Sequence, residues 1–159
     1  MTDRSAFLAE LGDIPASHDP ATVRRKSRDF YWYSPVLKPL LDPMCAEMIL
    51  NPRNPADLMR IAAAAARHNV PLTSRGGGTG NYGQAVPLQG GAVVEMTALD
   101  KVLWIRNGAV RVQPGMKMLD LDIALRAEGW ELRMHPSTKR TATIGGFICG
   151  GSGGIGSVT

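Results

Sequence analysis

The most regular pattern in the chain starts at Glu47-Met48-Ile49-Leu50, a short apolar run that predicts a strand. Asn54-Pro55-Ala56-Asp57 follows, with Asn54 placed to cap a helix, Pro55 suited to its first position and Asp57 near the positive end of its dipole. The helix runs through Leu58, Ile61, Ala62 and Ala65 and ends near His68-Asn69. Val70-Pro71-Leu72-Thr73 opens a second strand, and a strand, helix, strand unit predicts a parallel pair.

Gly91 to Met96 reads as a further strand. Val102 to Arg106 and Ala109 to Val112 alternate on either side of Asn107-Gly108, a dipeptide that predicts a tight hairpin. Residues 117 to 128 read as a helix with Leu119, Ile123, Ala124 and Leu125 on one face and Gly129 as its stop. Trp130 to Met134 reads as a short extended segment. Residues 1–45 lack such regularity and read as an irregular N-terminal arm. Within it, Ser5 is placed to cap a short helix through Leu11, stopped by Gly12. The aromatic and proline-rich stretch from Asp29 to Leu41 reads as an extended segment packed across an apolar surface.

A length of 159 residues with 44% hydrophobic positions fits one cored domain or a core with a subsidiary lobe. Most of the 18 glycines concentrate between 76 and 91 and between 145 and 156, so these clusters mark loops between patterned segments. The net charge of +4 permits an anionic ligand, but no basic stripe interleaved with aromatics occurs, which argues against a nucleic-acid partner. Cys45 and Cys149 stand far apart, and His18, His68 and His135 are isolated, so neither a zinc site nor a disulfide framework is indicated. The charged first dozen residues and the absence of a long apolar run predict a cytoplasmic protein with reduced thiols and no membrane span. The glycine-rich close, Gly150 to Thr159, predicts a fragment of a longer chain.

Within Ser74-Arg75-Gly76-Gly77-Gly78-Thr79-Gly80-Asn81-Tyr82-Gly83, the letters GTGNYG satisfy the dinucleotide pattern GxGxxG. A Rossmann fingerprint needs a helix after the glycines, because the helix N-terminus holds the pyrophosphate. Residues 84 to 91, with Pro87 and two glycines, leave no room for one before the next strand. Glu95 would be the ribose-binding acid, yet no helix precedes its strand. GSGGIG at 151 to 156 matches by the same coincidence, and neither cluster ends as a P-loop does. Successive glycines nonetheless turn N–H groups inward and form an anion-binding concavity without a helix. Arg75 either adds charge beside that concavity or is an exposed arginine at a strand end. Pro136-Ser137-Thr138-Lys139-Arg140-Thr141-Ala142-Thr143-Ile144-Gly145-Gly146 gathers hydroxyls and cations beside a glycine pair. That suits a diphosphate, a ribityl chain or a ribose, the alternative being a polar surface loop.

Four stretches in series, NPADLMRIAAAAARHNVPLTSRGGGTG, GGAVVEMTALDKVLWI, VRVQPGMKMLDLDIAL and PSTKRTATIGGFICGGSGGIG, resemble the FAD-binding domain of the p-cresol methylhydroxylase (PCMH) and vanillyl-alcohol oxidase superfamily. The resemblance covers 46–159. It implies an α+β domain, with a small α/β subdomain followed by a truncated second α+β subdomain and FAD between them. Arg75, Gly76, Gly77, Gly78, Thr79 and Gly80 match the pyrophosphate loop, with Asn81 and Tyr82 leading toward the flavin. Pro136, Ser137, Thr138, Thr141 and Thr143 match the second cofactor stretch, and Ile144, Gly145, Gly146, Gly150 and Gly151 the turn that closes over the dinucleotide.

Some members tether FAD through a histidine where this chain has Thr79, and others through a cysteine near 137–139, where none stands, so the resemblance implies non-covalent FAD. Cys149 reads as a small buried residue. The RGGGTG form of the loop is similar to that of 2-hydroxy-acid dehydrogenases. The implied function is oxidation of a 2-hydroxy acid or related alcohol, with hydride transfer to FAD. The alternatives are a non-catalytic FAD-binding module, a scaffold that binds an anion without FAD, and an oxidase of aromatic alcohols or sugars. A small anionic substrate and a C-terminal substrate domain outside this chain are the expected partners. No catalytic residue is assigned, since His135 beside Pro136 reads as structural.

Overall fold

The computed structural model describes residues 4–158. The strand predicted at 47–50 forms as β2 (Met48–Leu50), and the helix as α4 (Pro55–His68). Asn54 Oδ1 accepts from Asp57 N–H, and Asp57 Oδ2 accepts in return from Arg53 N–H, so the start is capped reciprocally. Asn69 stops the helix in the left-handed region, with φ of 52°.

The parallel pair does not form between the two strands that flank α4. Strand β3 (Leu72–Arg75) lies at the sheet edge, and β4 (Ala92–Glu95) inserts between it and β2, parallel to both. Helix α4 therefore crosses over a gap that the chain fills later. The central strand β4 is buried along its length, whereas the edge strand β3 is mostly open, as Leu72 shows.

The first 45 residues are not irregular. Helix α1 (Arg4–Leu11) packs on α4, and β1 (Ala16–Ser17) adds an antiparallel edge to β2. Ser5 lies inside α1 and does not cap it, while Gly12, with φ of 61°, does end it. Helix α2 (Pro20–Lys26), capped by Asp19, crosses the opposite face of the sheet. The period of two along the strands divides the core. Met48, Leu50, Ala92 and Val94 face Phe7, Leu11, Ile61 and Ala64, while Ile49 and Val93 face Val23.

The aromatic stretch is not extended. It forms a 3-10 turn at Tyr31–Tyr33 and helix α3 (Leu37–Leu41). Tyr31 alone goes into the core, where its hydroxyl accepts from Arg28 Nε and donates to Asp42. Phe30, Trp32 and Tyr33 stay exposed, with Trp32 and Tyr33 stacked at 3.9 Å. One aromatic anchor with two polar partners is enough to fix the turn, which leaves its neighbours on the surface.

In the second half, β5 (Val102–Arg106) and β6 (Ala109–Val112) form the predicted hairpin, with Asn107 and Gly108 both at positive φ. Helix α5 (Met118–Ala127) buries Met118, Leu121, Asp122 and Leu125. The expected face is thus rotated, with Ile123 outward and Leu119 only half-buried, because the buried carboxylate of Asp122, paired with the more exposed Arg126 and Lys139, shares the inner face. Residues 130 to 134 form no strand. A helix not foreseen, α6 (Ile144–Cys149), starts at Thr143 and packs Phe147 against Met118 and Ala142. Among the described residues no helix is long and apolar enough to cross a membrane.

Candidate cofactor site

The two glycine-rich stretches, some sixty residues apart in sequence, are in contact. A Cβ built on Gly76 would overlap Thr143 Oγ1, and one on Gly77 would overlap the Thr141 carbonyl. Both glycines are therefore required by the opposing loop itself, since any side chain would push the loops apart. Gly78 has φ of +64° and its missing side chain leaves room for the Arg75 guanidinium.

The N–H groups of Gly77, Gly78, Thr79 and Gly80 donate to no acceptor among the described residues. Successive free amides through a left-handed residue are what an anion-binding nest is built from. Gly80 is fixed from below, its carbonyl accepting from Phe30 N–H at 2.8 Å. Asn81 and Tyr82 follow, both exposed.

Arg75 is not an exposed arginine at a strand end: it is buried against Gly78, with Nη1 donating to the carbonyls of Lys26 at 3.0 Å and Arg28 at 2.5 Å. Burial pulls its guanidinium below the ordinary value, with Glu95 and Asp29 acting in the opposite sense. Glu95, the acid that the Rossmann reading would place on a ribose, is buried beside it. Its Oε2 lies 2.5 Å from Lys26 Nζ and 4.0 Å from Arg75 Nε.

The second stretch is stitched to α5. Met118 and Leu119 donate to the carbonyls of Ala142 and Lys139, so the first amides of α5 are satisfied by this loop. Lys139 is held 3.4 Å from the buried Asp122, which also accepts from Arg126 and from Leu132 N–H. Burial raises the Asp122 pKa, but those donors outweigh it and hold the carboxyl below its usual range.

Of the hydroxyls, Thr143 Oγ1 caps α6 through Gly146 N–H, and Thr141 Oγ1 donates to the Thr138 carbonyl. Ser137 and Thr138 keep free hydroxyls among the described residues, and with His135, Pro136, Lys139, Arg140, Leu119 and Ile155 they line a concavity of about 480 Å³. Ile144 and Gly145 N–H groups are spent on the carbonyls of Met116 and Pro114. Gly150 and Gly151 lie at the far end of α6, closing it by donating to Gly146 and Ile148. His135 is tied by a backbone bridge to Ile155, with Nδ1 3.4 Å from the Pro136 carbonyl. Cys149 is exposed, contrary to expectation, because α6 buries Phe147 against Met118 and Ala142 and leaves Cys149 off that face.

Three residues at this site escaped the sequence reading: Asp29, Lys26 and Asp122. The one visible signal was a charge closing an otherwise apolar strand at Glu95, which demands a partner when the strand is central.

A family model described as an FAD binding domain matches residues 46–159. The glycolate oxidase subunit GlcD of Bacillus subtilis is 34% identical over 111 residues, covering 69% of this chain and 24% of that protein. The D-lactate dehydrogenase of Archaeoglobus fulgidus is 32% identical over 120 residues, covering 74% of this chain and 27% of that protein. The chain thus spans about a quarter of the length of these curated relatives. Among solved structures, alkyldihydroxyacetonephosphate synthase superposes with a TM-score of 0.80 over 93% of this chain and 32% of that one, at 21% identity. Phl p 4, a grass pollen allergen with glucose dehydrogenase activity, gives 0.71 over 94% of this chain and 32% of that one, at 20% identity. These two likenesses show a shared fold. With the family match extending from β2 through both glycine stretches, the chain belongs to the FAD binding domain family of the p-cresol methylhydroxylase type.

Proposed function

We propose that this chain is the FAD-holding part of a flavin-dependent oxidoreductase that oxidises a small 2-hydroxy acid. The observation that carries the reading is the seam between the two glycine stretches. Two segments independently suited to a dinucleotide meet at Gly76, Gly77, Thr141 and Thr143. In this reading the amides of Gly77, Gly78, Thr79 and Gly80 hold the diphosphate, Asn81 and Tyr82 lead toward the flavin, and Ser137 and Thr138 bind the polar chain between. Gly76, Thr141, Thr143, Ile144, Gly145 and Gly146 shape the seam, Gly150 and Gly151 close α6, and Pro136 orders the start of the second stretch. Thr79 offers no nucleophile for a histidyl-type tether, so the cofactor is held without a covalent bond.

FAD, when bound, supplies the ring that accepts a hydride. The chain's own contribution is to bind and orient, and among the described residues no side chain near the nest is placed as a general base. The substrate class rests on the relatives, named as acting on glycolate and D-lactate, and on the net positive charge, which favours an anionic substrate. The acid/base residues then belong to a substrate domain beyond this chain.

The test is direct. The purified chain is incubated with FAD, desalted and its visible spectrum recorded. Retained flavin bands are expected, and a colourless protein that cannot be reconstituted ends the proposal. Turnover of glycolate and lactate with a dye acceptor, expected of the longer protein and weak or absent here, then separates an oxidoreductase from a binding module.

A further inference from the structure

Beneath the glycine loop lies a charge cluster that FAD binding leaves unused. Parallel pairing sets Arg75 directly opposite Glu95 at the carboxyl ends of β3 and β4. Helix α2 brings Lys26 to Glu95, and the turn after it brings Asp29 within electrostatic reach of Arg75. Arg75, Asp29 and Glu95 are 9%, 4% and 4% exposed. Two cations, Lys26 and Arg75, thus balance two carboxylates, Asp29 and Glu95, and little of the Arg75 charge is left for a phosphate above it.

The contacts run upward into the loop. Arg75 spends Nη1 on the Lys26 and Arg28 carbonyls, and the rest of its fork lies against Gly78, where an added Cβ would strike it. Asp29 Oδ1 accepts from Tyr31 N–H at 2.9 Å, while Oδ2 is buried without a partner. That oxygen would lie 3.3 Å from a Cβ on Gly80, the residue whose carbonyl holds Phe30 N–H. Gly78 and Gly80, both within the nest, therefore lie against two members of one cluster. A buried, charge-balanced cluster is poor at adding stability and good at fixing geometry.

We propose that Arg75, Asp29 and Glu95 are positioning residues for the cofactor loop, with Arg75 acting on the FAD diphosphate through the shape of residues 76–80 and not as a phosphate ligand. The proposal rests on the reading of this loop as the diphosphate nest. Lysine at position 75 keeps the charge but lacks the planar fork that spans two carbonyls and Gly78 at once.

The test compares Arg75→Lys, Arg75→Gln and Asp29→Asn with the unaltered chain by two measurements. Hydrogen exchange without FAD is expected to speed up at Phe30, whose N–H donates to the Gly80 carbonyl, in all three variants, because the support is lost before any ligand arrives. FAD dissociation constants are expected to rise about tenfold or more, on the scale of one lost charge-assisted hydrogen bond. The slope of log Kd against log salt should be unchanged in Arg75→Gln, since no phosphate contact has gone. A normal exchange pattern combined with a shallower salt slope would overturn the proposal and make Arg75 a direct ligand. If Arg75→Gln lacks a native circular dichroism spectrum, the near-isosteric Asp29→Asn decides by its exchange pattern. Should the unaltered chain fail to bind FAD, the functional reading falls, while the exchange result still tests the support of the loop.

Discussion

Gly77 and the Thr141 carbonyl illustrate how a glycine can be demanded by a neighbouring loop, whatever ligand lies beside it. Gly77→Ala is expected to force the two stretches apart and abolish FAD retention, read as loss of visible absorbance after desalting. Gly129, with φ of 79° and no heavy atom within 4 Å of an added Cβ, is the control. Gly129→Asn should cost no more than about 1 kcal/mol and leave FAD binding intact. A second residue-level expectation concerns acid. Hydrogen bonds from Arg53, then Arg60, hold the Asp13 carboxyl at about 2. A carboxyl with a depressed folded pKa contributes stability above its ordinary value near 4 and loses it as pH falls toward 2. Melting temperatures between pH 5 and 2 should therefore fall less steeply in Asp13→Asn, by a small margin because the pair is exposed.

Among the elements, α6 was the least visible in the sequence. Ile144-Gly145-Gly146 carries no helical periodicity, and its two glycines argue against a helix. The Thr143 cap and the packing of Phe147 against Met118 outweigh that local preference. Thr143 is also the contact for Gly76, so it joins the seam to the start of the helix. Thr143→Val should cost about 0.5–2 kcal/mol in urea unfolding, the value of a lost N-cap, and weaken FAD retention. Thr143→Ser, which keeps the hydroxyl, should preserve both. Helix α4 and the β5–β6 hairpin were legible for the opposite reason. Asn54-Pro55 and Asn107-Gly108 fix local backbone geometry with their own atoms, whatever they later pack against.

On the scale of the molecule, the first 45 residues belong to the core that positions the nest. Phe7 and Leu11 of α1 pack with Ile61 and Ala64 of α4 against Met48 and Leu50 of β2. Phe7→Ala should cost about 3–5 kcal/mol, a large share of the total for a domain of this size, measured as a drop in the thermal or urea midpoint. A chain beginning at residue 46 should show no cooperative melting, because it exposes one face of the sheet and removes Lys26 and Asp29 from beneath the loop. Cooperative unfolding of that shortened chain would show that the N-terminal elements are dispensable.

The sequence by itself determined the elements whose signals are local: β2, α4, β4, the hairpin, the stop at Gly129 and the two glycine stretches, with the FAD family they resemble. Tertiary structure decided what local signals cannot carry. Strand order is one case, because β4 enters the gap between β2 and β3 only after a long loop returns, and no residue of β2 or β3 encodes the vacancy. The role of Arg75 is the other. Its neighbours in sequence are glycines and a serine, but its environment is Lys26, Arg28 and Glu95, brought together by parallel register and by a helix from the far side of the sheet. A buried charge takes its meaning from such distant partners, whereas a cap or a tight turn takes it from residues two or three positions away.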